Sequence, residues 1–245
     1  MRLYLKIKIN NFRINGSFIC HNDSLIFSYQ KGNKMKINQP KIPKQLEEKE
    51  FHEILEDDYT EFHLAEVKNA VFTGDILQDM RLGQTIIKNG QFAGTDFSGM
   101  DVSDVRFENC DFSNADLSGS SMIRVEFKDC KLLGVNLAES YIGHTRFQNS
   151  IINLGTFAQT KLESVLFEES LLENGDFFDC TLKKVGFEMC NLDGINFRET
   201  SLKGIDLSSS EFNSILVSLE NLKGCTVSRH QAVYFAGLLG LKVAE

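Results

Sequence analysis

The sequence lacks the apolar runs that would place it across a membrane. No stretch reaches the roughly 18 consecutive apolar residues of a transmembrane helix. The first residues interleave lysines with apolar residues, so they do not contain the apolar core of a signal peptide. Proline is nearly absent, since only Pro40 and Pro43 occur, and both lie outside the periodic region described below. We expect a cytoplasmic protein that is neither exported nor anchored to a membrane.

The sequence also lacks the motifs of common enzymes. It contains no glycine-rich phosphate loop, no Gly-x-Ser-x-Gly and no zinc motif. The histidines show neither metal-ligand spacing nor a partnered cysteine: His21, His52, His63, His144 and His230. We therefore expect no catalytic residue, no metal site and no cofactor.

What the sequence contains instead is an apolar residue at every fifth position from Phe62 to Val227. The 34 positions include no polar residue, and at 42% apolar residues overall chance would give such a column with a probability of roughly 10⁻¹³. The residue two positions earlier is mostly small or β-branched. A period of five is neither that of a helix nor that of an ordinary strand. The pattern predicts a narrow coil that is filled by one large and one small side chain per unit.

Three of the units show the consensus with particular clarity: Ala115-Asp116-Leu117-Ser118-Gly119, Val135-Asn136-Leu137-Ala138-Glu139 and Ile195-Asn196-Phe197-Arg198-Glu199. They match Ala-(Asp/Asn)-Leu-x-x, so about two thirds of the chain resembles the pentapeptide-repeat family. The resemblance implies an all-β fold, a right-handed quadrilateral β-helix with four units per coil, here followed by a short C-terminal α-helix.

A second period of 20 residues supports the four-sided coil. The residues of one ladder are all phenylalanine: Phe107, Phe127, Phe147, Phe167 and Phe187. Another column repeats cysteine or serine, and it includes Cys110, Cys130 and Cys190. Their spacing could also indicate a metal site or disulfides, but buried reduced thiols are the interpretation that we favour. With 34 units, the coil spacing of ~4.8 Å predicts a rod roughly 40 Å long.

The segments on either side of the periodic region differ in charge. Residues 1–36 carry a net charge of +6 and could be an edge strand, a nucleic-acid or membrane contact, or a stretch upstream of a true start at Met35. Residues 37–61 carry a net charge of −5 and are interpreted as an N-terminal cap. The cap could contain a short amphipathic helix from Leu46 to Leu55 or a first imperfect coil. Residues 62–227 form the predicted β-helix.

Residues 228–245 break the period and predict a helix. Ser228 and Gln231 have the spacing of a capping box, and Gly240 is placed to stop the helix. The segment carries more apolar surface than one solenoid end requires, which favours a homodimer. The predicted dimerisation residues are Ala232, Val233, Phe235, Ala236, Leu238, Leu239 and Leu241.

The periodic region is acidic, with 24 Asp and Glu residues against 14 Lys and Arg residues. This charge could be an ordinary solvated surface or a recognition surface. On electrostatic grounds the candidate recognition residues are Glu108, Glu163, Glu168, Glu169, Glu173, Asp176, Glu188 and Asp193. Residues 37–245 contain no basic patch, so direct binding to nucleic acid is disfavoured.

The C-terminal sequence narrows the resemblance. Leu222-Lys-Gly-Cys-Thr-Val-Ser, Gln231-Ala232 and Leu238-Leu239-Gly240-Leu241-Lys242-Val243 resemble the C-terminal module of Qnr-type quinolone-resistance proteins. That resemblance implies a homodimeric, DNA-mimicking rod that binds DNA gyrase and topoisomerase IV and protects them from fluoroquinolones. The column is unbroken, whereas many plasmid-borne members have loops that interrupt the rod. The alternative is a structural or scaffolding solenoid with another protein partner.

Overall fold

The computed structural model describes residues 35–50 and 61–244. The interpretations of the basic segment 1–34 therefore lie outside the described residues. So do residues 51–60 of the predicted cap.

Residues 61–227 wind into a parallel β-solenoid of about 8 turns, which confirms the predicted fold class. Each coil takes 20 residues, because Val102 pairs with Met122 and Phe167 pairs with Phe187 in parallel register. The elements are β1 (Glu47–Glu48), β2 (Glu61–His63), β3 (Ala65–Lys68), β4 (Arg81–Gly83), β5 (Ile86–Lys88), β6 (Asp101–Glu108), β7 (Ser121–Lys128), β8 (Tyr141–Gly143), β9 (Arg146–Gln148), β10 (Lys161–Glu168), β11 (Thr181–Glu188), β12 (Ile195–Asn196), β13 (Ile215–Leu216) and α1 (Arg229–Leu238).

The two halves of each coil are held together differently. Strands β1 to β11 form one sheet, which occupies the first ten residues of the coils, and β12 and β13 form a separate pair. The second ten residues are joined mostly by single bridges, such as Asp111 with Lys131. Aspartate turns the chain at these corners, since the Asp111 carboxylate accepts the Ser113 backbone N–H at 2.8 Å.

Side chains of the five-residue column fill the interior. Phe147 is fully buried, and its ring stacks on Phe127 and on Phe167 with 4.9 Å between centroids. Phe107 and Phe187 continue the stack at 5.0 and 5.1 Å, so the predicted phenylalanine ladder is confirmed. The cysteines of the small column are buried and free, as expected: Cys110, Cys130, Cys180 and Cys190.

The sheet ladder is interrupted near the C-terminal end. Strand β11 pairs with β10 but with no strand on its other side among the described residues. In an intact coil the His144 N–H donates to the Glu163 carbonyl at 2.9 Å. Lys184 occupies the position of His144 two coils later, and within residues 35–50 and 61–244 its N–H has no such bond to Lys203. The backbone ladder is therefore interrupted between residues 181–189 and 201–209, where a side-chain bond from the Ser209 hydroxyl to the Phe187 carbonyl at 3.3 Å joins the two segments.

The N-terminal arm, residues 35–46, lies along the side of the solenoid. The Lys41 backbone N–H donates to the Asp104 carboxylate at 2.8 Å, and the Asn38 amide lies 3.3 Å from the His144 ring. The arm ends at β1, which pairs with β3 below the first coil. Residues 46–50 are thus not helical, which excludes the alternative of a helix that starts at Leu46. Strand β1 instead pairs with the free strand edge of the first coil.

Helix α1 closes the other end. The Ser228 hydroxyl accepts the Gln231 N–H at 3.2 Å, and the Gln231 side chain accepts the Ser228 N–H at 2.8 Å, so the predicted capping box is confirmed. Gly240 has φ +77° and follows the helix as predicted. The Leu241 N–H bonds back to the Ala236 carbonyl at 3.0 Å, which completes the terminating turn.

Candidate protein-binding surface

The solenoid separates its charge between the two halves of each coil. The balanced half, residues 61–70 and the equivalent tens up to 201–210, carries 12 acids and 11 bases. The acidic half, residues 71–80 and the equivalent tens up to 211–220, carries 13 acids and 2 bases. Its acids are Asp75, Asp79, Asp96, Asp111, Asp116, Glu139, Glu173, Asp176, Asp179, Asp193, Glu199, Glu211 and Glu220.

Carboxylates of the acidic half also hold the turns, which keeps them ionised. The Ser98 backbone N–H donates to Asp96 and lowers the pKa of that carboxyl group. The Asn213 side chain, helped by the Ser214 backbone, lowers the pKa of Asp193 in the same way. Because the turn bonds favour the charged form, these corners carry negative charge at neutral pH.

Four exposed carboxylates of the acidic half lie on the corners between coils. Asp79, Glu139, Asp179 and Glu199 occupy equivalent positions, and all four are exposed. Their backbones adopt φ between 52° and 57°. None of the four is among the acids predicted as recognition residues. The signal that would have found them is their shared position in the 20-residue period.

Ion pairs offset the acids of the balanced half. Glu163 lies 2.5 Å from the Lys183 ammonium group, and that hydrogen bond lowers the pKa of the carboxyl group. Asp104 is bound by two nitrogens of Arg124 at 2.6 and 2.7 Å. Both pairs join residues 20 apart, so the coil stacking itself brings opposite charges together.

The structure divides the predicted recognition acids between the two halves, so they do not form one surface. Glu173, Asp176 and Asp193 lie on the acidic half, and the other five lie on the balanced half: Glu108, Glu163, Glu168, Glu169 and Glu188. Glu168 pairs in register with Glu188. Glu168 also lies 3.9 Å from Arg146, and Glu108 lies 3.8 Å from Arg106. This division follows from the four-sided coil, which turns sequence neighbours to different sides.

The predicted dimerisation residues do not all lie on a free surface. Phe235 is only 9% exposed and packs against Phe212 with 5.9 Å between ring centroids, so it belongs to the solenoid end. Gln231 is buried, and its side chain donates to the Leu207 and Ser210 carbonyls at 2.9 and 2.8 Å. The exposed apolar residues of the segment are Val233, Leu238, Leu239, Leu241 and Val243.

The interior offers little room for a ligand. Met80, Phe92, Met100 and Phe112 border a cavity of about 10 Å³, which is space for one water at most. Among residues 35–50 and 61–244, no cluster of three His, Cys, Asp or Glu side chains could hold a metal ion. Within the same ranges no helix is long and apolar enough to cross a membrane.

Comparisons with known proteins agree with the coil geometry. Residues 91–129 and 101–138 match the description pentapeptide repeats (8 copies), and residues 120–197 match the pentapeptide repeat region. No curated protein sequence matches the chain.

Solved repeat proteins are similar in part. Full-length QnrB1, described as a plasmid-mediated fluoroquinolone resistance protein, is 19% identical with a TM-score of 0.42 over 80% of this chain and 95% of that one. HetL of the cyanobacterium Nostoc sp. strain PCC 7120, described as involved in heterocyst differentiation regulation, is 11% identical with a TM-score of 0.37 over 72% of this chain and 95% of that one. The repeat matches, together with the 20-residue coils, show that residues 91–197 are pentapeptide repeats.

Proposed function

We propose that the acidic half binds the basic, DNA-binding surface of DNA gyrase and of topoisomerase IV in place of DNA, and protects these cytoplasmic enzymes from fluoroquinolones. The observation that carries the proposal is the charge separation between the two halves. An ordinary solvated surface would distribute acids and bases alike around the coil. Here the acidic half carries 13 acids with 2 bases, while the other half is nearly neutral.

The charge density of the acidic half is comparable to that of one nucleic-acid strand. Eight coils at ~4.8 Å each make a rod of roughly 40 Å. Its 13 acids therefore follow one another at about 3 Å along the axis, close to the ~3.4 Å between phosphates of one DNA strand and about half the charge density of the duplex. A groove that is lined by Lys and Arg to hold duplex DNA would therefore attract the acidic half as well as DNA. The protein would then compete with DNA or weaken the complex of drug, enzyme and DNA.

The exposed apolar residues after Ser228 support a homodimer within this proposal. Val233, Leu238, Leu239 and Leu241 are each 47–61% exposed, although the inner side of α1 already closes the solenoid. Exposed apolar clusters of this kind are typical of interfaces. A dimer would join two rods and lengthen the acidic surface.

The alternative function, a scaffold for another protein, has support from the balanced half. On this half the charges are paired with each other, as Asp104 is with Arg124. Such pairing is typical of a surface whose charges keep the protein soluble and do not bind a strongly charged partner. Charge reversal separates the two functions, because a scaffold that uses the balanced half would not need the acidic half.

The test is a pair of triple charge reversals that change the net charge equally. Glu139, Asp179 and Glu199, all exposed on the acidic half, are replaced by Lys in one protein. The matched control replaces Asp101, Asp129 and Glu169 by Lys, and these three acids are exposed on the balanced half. Affinity for DNA gyrase is measured at two salt concentrations. We expect a loss of about 10–100-fold for the first variant and little change for the second. An equal loss in both would refute a specific acidic surface.

A further inference from the structure

The N-terminal arm lies on one corner of the solenoid. The first ten residues of each coil make two sides, which meet where the backbone has positive φ, as at Gln84 and Asp104 with φ 48° and 59°. Towards β1, the Lys41 carbonyl accepts a hydrogen bond from the Gln84 side-chain amide at 3.3 Å. At the far end of the arm, a Cβ atom added to Gly186 would lie 3.3 Å from the Met35 methyl carbon. The arm thus follows this corner over six coils, diagonally opposite the middle of the acidic half.

The arm is attached without the ammonium groups of its lysines. Lys41 contacts the corner through its backbone N–H and carbonyl, and Ile37 and Ile42 are partly buried. Lys36, Lys41 and Lys44 are exposed, and none of them forms an ion pair within residues 35–50 and 61–244. Residues 35–46 include no acid. The three positive charges therefore remain in solvent and do not hold the arm in place.

The corner beneath the arm has no unpaired carboxylate for these lysines. Its segments are residues 83–86, 103–106, 123–126, 143–146, 163–166 and 183–186. They contain three acids, and each acid is bound by a base of a neighbouring coil: Asp104 by Arg124, Glu126 by Arg106 and Glu163 by Lys183. The acids of β1 are paired as well, Glu48 with Lys68 at 3.0 Å and Glu47 with Lys49 at 3.8 Å.

The result is a row of unpaired lysines opposite the acidic half. Lys184 ends the row, since it is exposed on the same corner and forms no ion pair with any described residue. We name the row the basic edge: Lys36, Lys41, Lys44 and Lys184. The order of the sequence hides it, because Lys184 lies far along the chain from the arm. A rod that was acidic on every side could enter a basic groove on any of them, whereas this rod differs between its acidic half and its basic edge.

We propose that the basic edge fixes the orientation in which the rod enters the basic groove of its topoisomerase partner. This rests on the proposed function and refines it, by naming the residues that determine which side of the rod is bound. If the rod entered edge first, its lysines would meet the Lys and Arg side chains of the groove, and juxtaposed like charges weaken binding. The Debye length at physiological salt is ~8 Å and sheets on opposite sides of a packed core lie ~10 Å apart, so the groove interacts mainly with the side that it touches.

The test is the double reversal Lys36→Glu with Lys41→Glu, which leaves the solenoid sequence unchanged. The matched control, Lys131→Glu with Arg198→Glu, changes the net charge equally, but both of its bases are exposed on the acidic half. Hydroxyl-radical footprinting of each full-length protein, alone and with DNA gyrase, reports which side chains the enzyme covers. Melting temperatures show that each variant is folded.

Two oxidisable side chains report the orientation. Phe178 is 38% exposed on the acidic half, and Met35 is partly exposed on the basic edge. We expect gyrase to lower the oxidation of Phe178 about threefold in the wild type and in the control, and to leave Met35 unchanged. In the double reversal of the arm, gyrase should protect Met35 as well, because the rod then enters on either side. Lys184→Glu, which leaves the arm intact, should act in the same direction.

Four outcomes would overturn the proposal in distinguishable ways. Protection of Met35 in the wild type, or its absence in both the arm variant and Lys184→Glu, removes the orienting role and leaves the proposed function standing. Binding of the wild type to linear duplex DNA that the arm variant loses assigns the basic edge to nucleic acid instead. A folded wild type that does not bind gyrase at all removes the proposed function and this refinement together.

Discussion

At the scale of single residues, the stability of this protein depends on stacking at a distance of 20. Phe127, Phe147 and Phe167 stack with interplanar angles of 2° and 7°, because each coil places the same side chain above the last. The same rule places Arg124 beside Asp104 and Lys183 beside Glu163. A substitution in one coil therefore acts on the coils before and after it.

The Asp104 carboxylate provides a prediction about pH. Hydrogen bonds from Arg124 lower the pKa of Asp104, against the effect of its burial, and the Lys41 backbone N–H adds to the lowering. A group whose pKa is lower in the folded state stabilises that state above its unfolded pKa of about 3.9, and this contribution disappears as the pH falls through the folded value. We expect Asp104→Asn to lower the free energy of unfolding at pH 7 by about 1–3 kcal/mol.

Urea unfolding of wild type and Asp104→Asn at pH 7 and at pH 3 would check this. The difference between the two proteins should narrow at pH 3, since Asp104 is then protonated in the unfolded state and part of the advantage from its lower folded pKa is lost. Asp101→Asn, at an exposed position, should have little effect at either pH. A difference between wild type and Asp104→Asn that is as large at pH 3 as at pH 7 would contradict the assignment.

Much of this residue-level arrangement could be predicted from the sequence. The inward column and the phenylalanine ladder follow from periodicity, which depends only on which side chains avoid water. The contact between Lys41 and Asp104 could not be predicted, because its donor is a backbone N–H that carries no sequence signal. The exposed corner acids, such as Glu139 and Asp179, are not among the predicted recognition residues, because they lie singly in the sequence and only their shared position in the 20-residue period brings them together.

At the scale of elements, both ends of the solenoid are covered by segments outside the repeat. Strand β1 adds a rung before the first coil, and α1 packs Tyr234 and Phe235 against the last. Covering the ends protects unpaired strand edges from association with other chains. The sequence indicated both segments and left a helix from Leu46 or a first imperfect coil open for the N-terminal one. Over residues 46–50 the structure has a strand rung and no helix, because charged residues at helical spacing also suit an edge rung.

The open edge of β11 gives a prediction about local stability. The Lys184 N–H faces the interrupted ladder, whereas the His144 N–H two coils earlier bonds to Glu163 at 2.9 Å. Amide hydrogens exchange faster where the backbone bond is missing. We expect native-state hydrogen exchange at Lys184 to be at least ten times faster than at His144. Equal protection of the two amides would show that the ladder is closed in solution.

Helix α1 provides a prediction about assembly. Leu238 and Leu241 are 47% and 61% exposed and form the outer side of the segment. The double substitution Leu238→Glu and Leu241→Glu should therefore abolish the proposed homodimer and leave the solenoid folded. Phe235→Glu should instead destabilise the solenoid end, because Phe235 is buried. Sedimentation velocity and circular dichroism would check both. A wild type that is monomeric at all concentrations would contradict the dimer.

At the scale of the whole molecule, the solenoid of residues 61–220 carries nearly all of its net negative charge on one half of its coils. The sequence revealed the total charge, but not its placement, since that requires the four-sided coil. Once the residues are arranged in columns of 20, the balanced and acidic halves become evident, and five of the eight predicted recognition acids fall on the balanced half. The number of coils, by contrast, followed directly from the repeat.

The measurement that tests the central claim most directly is gyrase supercoiling, with and without a fluoroquinolone, while the full-length protein is titrated. If the acidic half occupies the DNA-binding surface, the wild type will restore supercoiling in the presence of drug or inhibit it in its absence. The protein with Glu139, Asp179 and Glu199 replaced by Lys will do neither. A folded wild type that leaves supercoiling unchanged in both conditions would contradict the account and favour a scaffold.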